Sequence, residues 1–309
     1  GRGLYLFASG GLKFFFTKGC SGEPFIFHKN LYGNGLWLAL VDVKYLNDGM
    51  RSALVISVFV GIQPFLASVM GDQSPQANTQ TELRLPEAVA SQMRLEEKHL
   101  SENLSLSKGF ARIRDLSRRG DLRMFLGNTA GALTDYSAMI EVDPAQDRPH
   151  WRRGIALYFA KRFEDASQQF ARYHEYDSRD RENGIWKFLC DIRAKGVSHA
   201  RSNMLPYNRF DRHPFPQLYD LFLGSSSVQQ YDTAVVGEVS RSEMVRFFHL
   251  YYRGVYRAEL GDKKGIDDIR DAVSVFPAEH VAEFGPGYMW HCARLHVSFL
   301  QKETAKLPE

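Results

Sequence analysis

The chain is poor in cysteine: Cys20, Cys190 and Cys292 are the only three in 309 residues, too few for a disulfide framework. None stands at a metal-ligand spacing, and His291 and His296 miss the i, i+4 separation that puts two zinc-binding histidines on one helical face. Neither a phosphate-cradling glycine loop nor a nucleophile elbow occurs, so no metal, no cofactor and no catalytic residue is expected. No apolar stretch reaches the roughly 20 residues of a stable membrane span. Charge of one sign is also lacking. The formal net charge is +3, and residues 1–71 hold six of the 39 basic and three of the 36 acidic residues, leaving 33 of each in the remainder. A neutral remainder gives no electrostatic basis for nucleic-acid binding, which depends on neutralising phosphates.

Methionine is absent before Met50. From there the sequence reads "MRSALVISVFVGIQPFLASVMGDQSPQ", a basic residue, an apolar run from Ala53 to Ala67 and small residues near Val69 and Gly71, the layout of a secretory signal peptide. Gln63-Pro64 interrupts the run, which disfavours the alternative of an uncleaved anchor. Residues 1–49 are expected to be upstream translation rather than native protein, 50–71 a signal peptide and 72–84 a polar linker. The protein is therefore expected to be exported, periplasmic or secreted. Cys190 and Cys292 remain after the signal segment; two buried thiols acting as small apolar side chains are favoured over a pair.

Past the linker, the sequence repeats itself at 34 residues. "GDLRMFLGNTAGALTDYSAMIEVDP" from Gly120 aligns with "GIALYFAKRFEDASQQFARYHEYDS" from Gly154. Gly120 matches Gly154, Ala132 matches Ala166, Tyr136 matches Phe170 and Asp143 matches Asp177. Each unit predicts two antiparallel helices, with the glycine and the alanine where the helices approach and the aromatic filling the gap between units. A looser third unit keeps Ala200 but has Phe188 for the glycine. Prolines 214 and 216 break the pattern, and a divergent unit follows with Gly254, Gly261, Ala272 and Pro277, one residue short in spacing.

This pattern of glycine, small residue, aromatic and closing proline resembles the tetratricopeptide repeat, met in full by Gly120, Ala132, Tyr136 and Pro144. The chain from Leu85 to Gln301 is similar to small exported bacterial proteins of that family, including envelope lipoproteins that act as adaptors for cell-wall hydrolases and proteases. It lacks the lipid-attachment cysteine of those lipoproteins. The resemblance implies an all-α, tetratricopeptide-like α-solenoid of antiparallel helix pairs with helical caps. Its parts would be a capping helix over 85–112, repeats 1–3 over 113–214, a continuation with a divergent repeat and a second capping helix over 215–301, and a tail over 302–309.

In such arrays the first helices line a concave binding face. The family's groove positions would fall on Arg114, Asp121, Met124 and Phe125, then Arg148, Trp151, Tyr158 and Phe159, then Glu182, Leu189 and Arg193. Tyrosine, tryptophan and arginine dominate interface energies, which makes Arg114, Arg148, Trp151, Arg152, Tyr158 and Arg193 the candidate residues for a protein or peptide partner. The competing reading is that Trp151 and its aromatic neighbours only pack one repeat on the next. A second functional hypothesis gathers Arg152, Arg153, Asp180, Arg181, Glu182 and Trp186 into one enzymatic or small-ligand pocket. The polar stretch "YHEYDSRDRENGIW" reads as an inter-repeat loop held by ion pairs and an Asn183-Gly184 turn, and "RGD" at Arg119 to Asp121 lies inside a helix.

Overall fold

The computed structural model describes residues 83–304, together with the backbone of four short strands between residues 5 and 58. The chain divides into two units, Gly1–Pro75 and Gln76–Glu309. In the first, β1 (Tyr5–Phe7) pairs antiparallel with β2 (Lys13–Phe15), and β3 (Val41–Leu46) with β4 (Ala53–Val58). The expected signal peptide, apart from the backbone of β4, lies outside the described residues, as does most of the expected linker.

The second unit is all helix among its described residues. Helix α1 (Glu87–Asn103) packs on α2 (Gly109–Phe125), and α2 pairs with α3 (Thr129–Val142). Next come the pairs α4 (Trp151–Phe159) with α5 (Phe163–Tyr176) and α6 (Arg181–Lys195) with α7 (Val197–Ser202). Helices α8 (Phe215–Leu223) and α9 (Val228–Arg241) lead into the pair α10 (Glu243–Glu259) and α11 (Lys264–Ser274). Short α12 (Val281–Phe284) precedes the last helix, α13 (Tyr288–Thr304). The fold is a tetratricopeptide-like solenoid of adjacent helix pairs.

Local sequence sets the boundaries. Asn128, Asp180 and Ser242 each accept a hydrogen bond at the start of α3, α6 and α10, and Ser227 and Gln230 form a capping box at α9, satisfying N–H groups that helix starts leave bare. Asp143 and Asp177 end their helices in the same way, each accepting the N–H two residues on, which is why that position repeats.

The repeat glycines stand where the second helix of the pair comes close, as expected, but in the first two units it is that helix's aromatic ring that reaches them. A Cβ at Gly120 would lie 2.5 Å from Cε1 of Tyr136, and one at Gly154 would lie 2.7 Å from Cζ of Phe170. The glycine makes room for the aromatic of its own unit, whereas the alanines, both fully buried, fill the remaining space. Tyr136 also reaches the next unit, its ring 5.0 Å from His150.

A polar lock accompanies each glycine. Arg119 grips the buried carboxylate of Asp135 (2.6 and 3.0 Å), Arg153 donates to Gln169 (2.7 Å), and Arg253 grips Asp268 (2.9 and 3.1 Å). In every case the basic residue directly precedes the glycine, and its acceptor stands three residues after the small residue of the second helix. In the last pair that small residue is Gly265, whose missing side chain lets its backbone meet that of Gly254. Gly265 follows its glycine by one residue fewer than Ala132 follows Gly120, which accounts for the short spacing of the divergent unit.

Candidate functional site

The first helices α2, α4, α6 and α10 share an inner face, and α13 lies against it. Helix α13 packs on α11, as a terminal helix would, and also touches α2 and α10. At one end, Tyr288 meets Phe125 (ring centroids 5.2 Å apart) and Trp151 (5.0 Å) edge to face, and His291 stacks on Phe125 at 3.9 Å. At the centre, His296 stacks on Trp186 at 5.7 Å. At the other end, Phe299 packs against Tyr158 and Phe159.

Trp151 is half-buried in the first turn of α4. The Arg152 guanidinium sits 5.2 Å over its ring and 5.7 Å from that of Tyr288, a cation–π arrangement. Arg152 is fixed there by hydrogen bonds to Asp121 (2.9 Å) and Ser117 (3.2 Å). Asp121 also accepts from the Tyr136 hydroxyl at 2.7 Å. Burial raises the Asp121 carboxyl above its usual range against the pull of Arg152.

Tyr158 is fully buried. Its hydroxyl donates to Glu259 (3.2 Å) and lies 2.9 Å from Nε2 of His296, whose Nδ1 is 3.0 Å from the Tyr251 hydroxyl. Because Tyr158 donates to Glu259, the assignment that satisfies every group has Nε2–H donating to Tyr158 and Nδ1 accepting from Tyr251. Burial holds His296 neutral, pushing its pKa down to about 3. Arg193 closes the chain, 2.7 Å from Glu259 and with its guanidinium 5.5 Å from the Phe299 ring centroid.

Four of the six candidate partner residues thus face the groove, and α13 occupies it. Tyr158 presents no surface to a partner in this arrangement, because the aromatic groove it lines is filled from within the chain. Arg193 is held by Glu259. Trp151 and Arg152 keep an open edge, and Arg114 and Arg148 are exposed, paired only with Asp115 at 3.0 Å and Glu175 at 3.8 Å.

The six residues of the enzymatic hypothesis do not form one pocket. Arg152 and Arg153 are engaged by Asp121 and by Asp147 with Gln169. Arg181 donates to the carbonyls of Arg209 and Tyr207. Only Asp180, Glu182 and Trp186 converge, through Arg212 and Tyr252. Arg212 bonds Glu182 and approaches Asp180 at 3.8 Å, while the Tyr252 hydroxyl donates to Glu182 (2.5 Å) and accepts from Trp186 Nε1 (3.1 Å). Desolvation pushes Glu182 up to about 7, with Arg212 pulling the other way. The arrangement ties α6, α10 and the loop before α8 together in the interior; the expected Asn183-Gly184 turn is instead part of α6, where the Asn183 amide donates to the Phe170 carbonyl, and only residues 177–180 of that polar stretch form the connection.

Sequence reasoning missed the occupant of the groove. His296 stands out in the sequence only as half of a pair misplaced for zinc, and nothing there marks Tyr288 and Phe299, or Tyr251 and Glu259 opposite them. Met289, Trp290, His291, Cys292 and Ala293 are five consecutive buried residues and so go right round the first turns of α13, the mark of an interior helix, whereas a terminal cap shows a polar outer face. Cys190 and Cys292 are free and fully buried, with burial pushing both thiols well up. Among the described residues, no group of three or more His, Cys, Asp or Glu is placed to hold a metal ion, and no helix is long and apolar enough to cross a membrane.

No family model matches the chain. It is similar to a protein of Haemophilus influenzae described as a lipoprotein NlpI homolog, at 26% identity over 114 residues, which cover 37% of this chain and 32% of that relative. The match spans about a third of the relative's length.

Proposed function

We propose that the protein is a non-enzymatic, exported scaffold that brings a protein or peptide partner to its helical repeats. The partner docks at the edge of the inner face formed by α2 and α4, with Trp151 as anchor, Arg152 stacked on it, and Arg114 and Arg148 as flanking charges. The observation that supports this reading is the half-open Trp151–Arg152 stack, which stays at the rim where α13 covers the rest of the groove. Tryptophan and arginine at the boundary of a rigid apolar surface are the combination that carries interface energy. Similarity to a lipoprotein supports an envelope setting.

The test is capture of binding proteins from envelope extract by residues 72–309, with Trp151→Ala and Arg114→Ala in parallel and melting temperatures measured for each. The expected outcome is at least a tenfold loss of the same captured protein with Trp151→Ala, with melting nearly unchanged. Equal capture by wild type and both variants, or a loss of capture that tracks a loss of stability, would refute docking at this edge.

A further inference from the structure

A cavity of about 370 Å³ lies away from the groove, between α6, α7, α8 and the irregular loop that joins α7 to α8, where the repeat pattern breaks down. Arg181 and Arg201 both line it. Elsewhere in the molecule Arg119, Arg152, Arg193 and Arg253 each lie within 3 Å of a carboxylate oxygen. Arg181 and Arg201 have no carboxylate at ion-pair distance of their guanidinium groups among the described residues. The Arg181 guanidinium donates only to two backbone carbonyls and lies 5.4 Å from the Tyr207 ring centroid. Arg201 reaches one neutral acceptor, the Tyr256 hydroxyl at 3.3 Å, and its Nε is buried with no acceptor at all. That Nε packs against Gly224 and has no exposed surface, so a ligand would meet Arg201 through its terminal nitrogens, and two guanidinium groups on one cavity favour an anionic acceptor.

The remaining walls decide which anion. Met204, Tyr219 and Leu223 are apolar or aromatic, and Asp220 also lines the cavity, so the charge to be met is two positive against one negative. A phosphate dianion overshoots that balance and has nothing to offer the apolar wall. A volume at the lower end of small-ligand sites leaves room for a small organic acid with its apolar chain inside. We propose that this cavity binds a monocarboxylate carried on a short apolar body, its oxygens meeting Arg201 and Arg181 and its chain lying against Met204, Tyr219 and Leu223. A free short-chain acid and the terminal residue of a peptide share that chemistry. The proposal is independent of the Trp151 edge.

Titration calorimetry on the full chain with hexanoate, hexanamide, N-acetyl-leucine and inorganic phosphate tests it. The expected result is millimolar or tighter binding of hexanoate or N-acetyl-leucine, with none of hexanamide or phosphate. Tighter binding of N-acetyl-leucine than of hexanoate assigns the site to a peptide terminus, and the reverse to a free acid. Arg201→Gln is expected to weaken binding at least tenfold, while Asp220→Asn, an exposed change that keeps the fold, is expected to strengthen it severalfold. Hexanamide binding as well as hexanoate, no carboxylate binding, or affinity unmoved by Asp220→Asn would each overturn the proposal, even where Arg201→Gln fails to fold.

Discussion

A methyl group added at Gly120 would lie 2.5 Å from a carbon of the Tyr136 ring, which is fully buried and held at its hydroxyl by Asp121. Alanine is the better helix former by about 1 kcal/mol, so an open glycine would gain from the change. Here the ring has nowhere to go, and Gly120→Ala is expected to destabilise the protein by roughly 1–3 kcal/mol, as overpacking does; a rise in the urea midpoint would show that the ring moves freely. Asp135 presents the opposite problem, a carboxylate 1% exposed between Arg119 and Arg123. Asp135→Ala leaves Arg119 without a carboxylate and Arg123 with Glu97 alone, and the expected loss is about 3–5 kcal/mol. Arg153, which meets Gln169 at the same place in the next unit, makes a neutral version of this lock, so Gln169→Ala should cost clearly less. Equal losses at the two positions would mean that charge does not matter to the lock. Of the opening residues of α4, Arg153 is therefore architecture, and Arg152 is the one with a face toward the groove.

At the scale of helices, α13 holds α2, α4, α6 and α10 to one another by filling the space between them. A chain ending at Phe284 would expose the faces of Tyr158, Trp186 and Tyr251, and it is expected to bind a hydrophobic dye and lose its sharp melting transition while keeping much of its helical circular dichroism. Adding a synthetic peptide of residues 286–304 should restore the transition. A truncated chain that melts as cooperatively as the full one would show that α13 is dispensable. How far the elements were legible follows from the same physics. Pairs α2/α3 and α4/α5 could be read because their glycine, alanine, aromatic and aspartate positions recur at one spacing, each fixed by a local contact. The groove positions of Trp151, Tyr158 and Arg193 could be read for the same reason. What fills the groove could not be read from repeat periodicity, since α13 belongs to no repeat and meets partners more than 100 residues away. Only the unbroken buried run from Met289 to Ala293 marks an interior helix, and position at the end of the chain makes it look like a cap. The Glu182–Tyr252 bond was equally hidden, because its partners come from helices 70 residues apart.

Across the helical unit, four histidines are buried and kept neutral, chiefly by desolvation: His150 and His249 are pushed down to about 4, and His291 and His296 to about 3. In the unfolded chain the same groups protonate below about 6.5. Between those limits the unfolded state binds more protons than the native one, so stability falls as pH falls, by up to about 1.4 kcal/mol per pH unit for each histidine. Glu182 works in the opposite direction. Its native pKa of about 7 stands above the ordinary value of 4.5, so the native state holds a proton that the unfolded state releases, and its contribution is lost as pH rises from 4.5 through 7. Asp121 and Asp180, also raised by burial, act in the same direction as Glu182, but both start from a lower ordinary value, so the four histidines dominate and the urea midpoint is expected to drop between pH 6.5 and 5. The histidines sit on α10, on α13 and at the start of α4, so the loss should be global and cooperative rather than confined to one end. His291 offers the cleanest check, since its ring stacks on Phe125 and its Nδ1 has no hydrogen-bond partner. His291→Phe should keep the stack, remove one titrating group, and lower the pH dependence of stability by close to one proton. A midpoint that stays flat from pH 7 to 5 in the wild type would mean that these imidazoles reach water, and that α13 does not seal the groove.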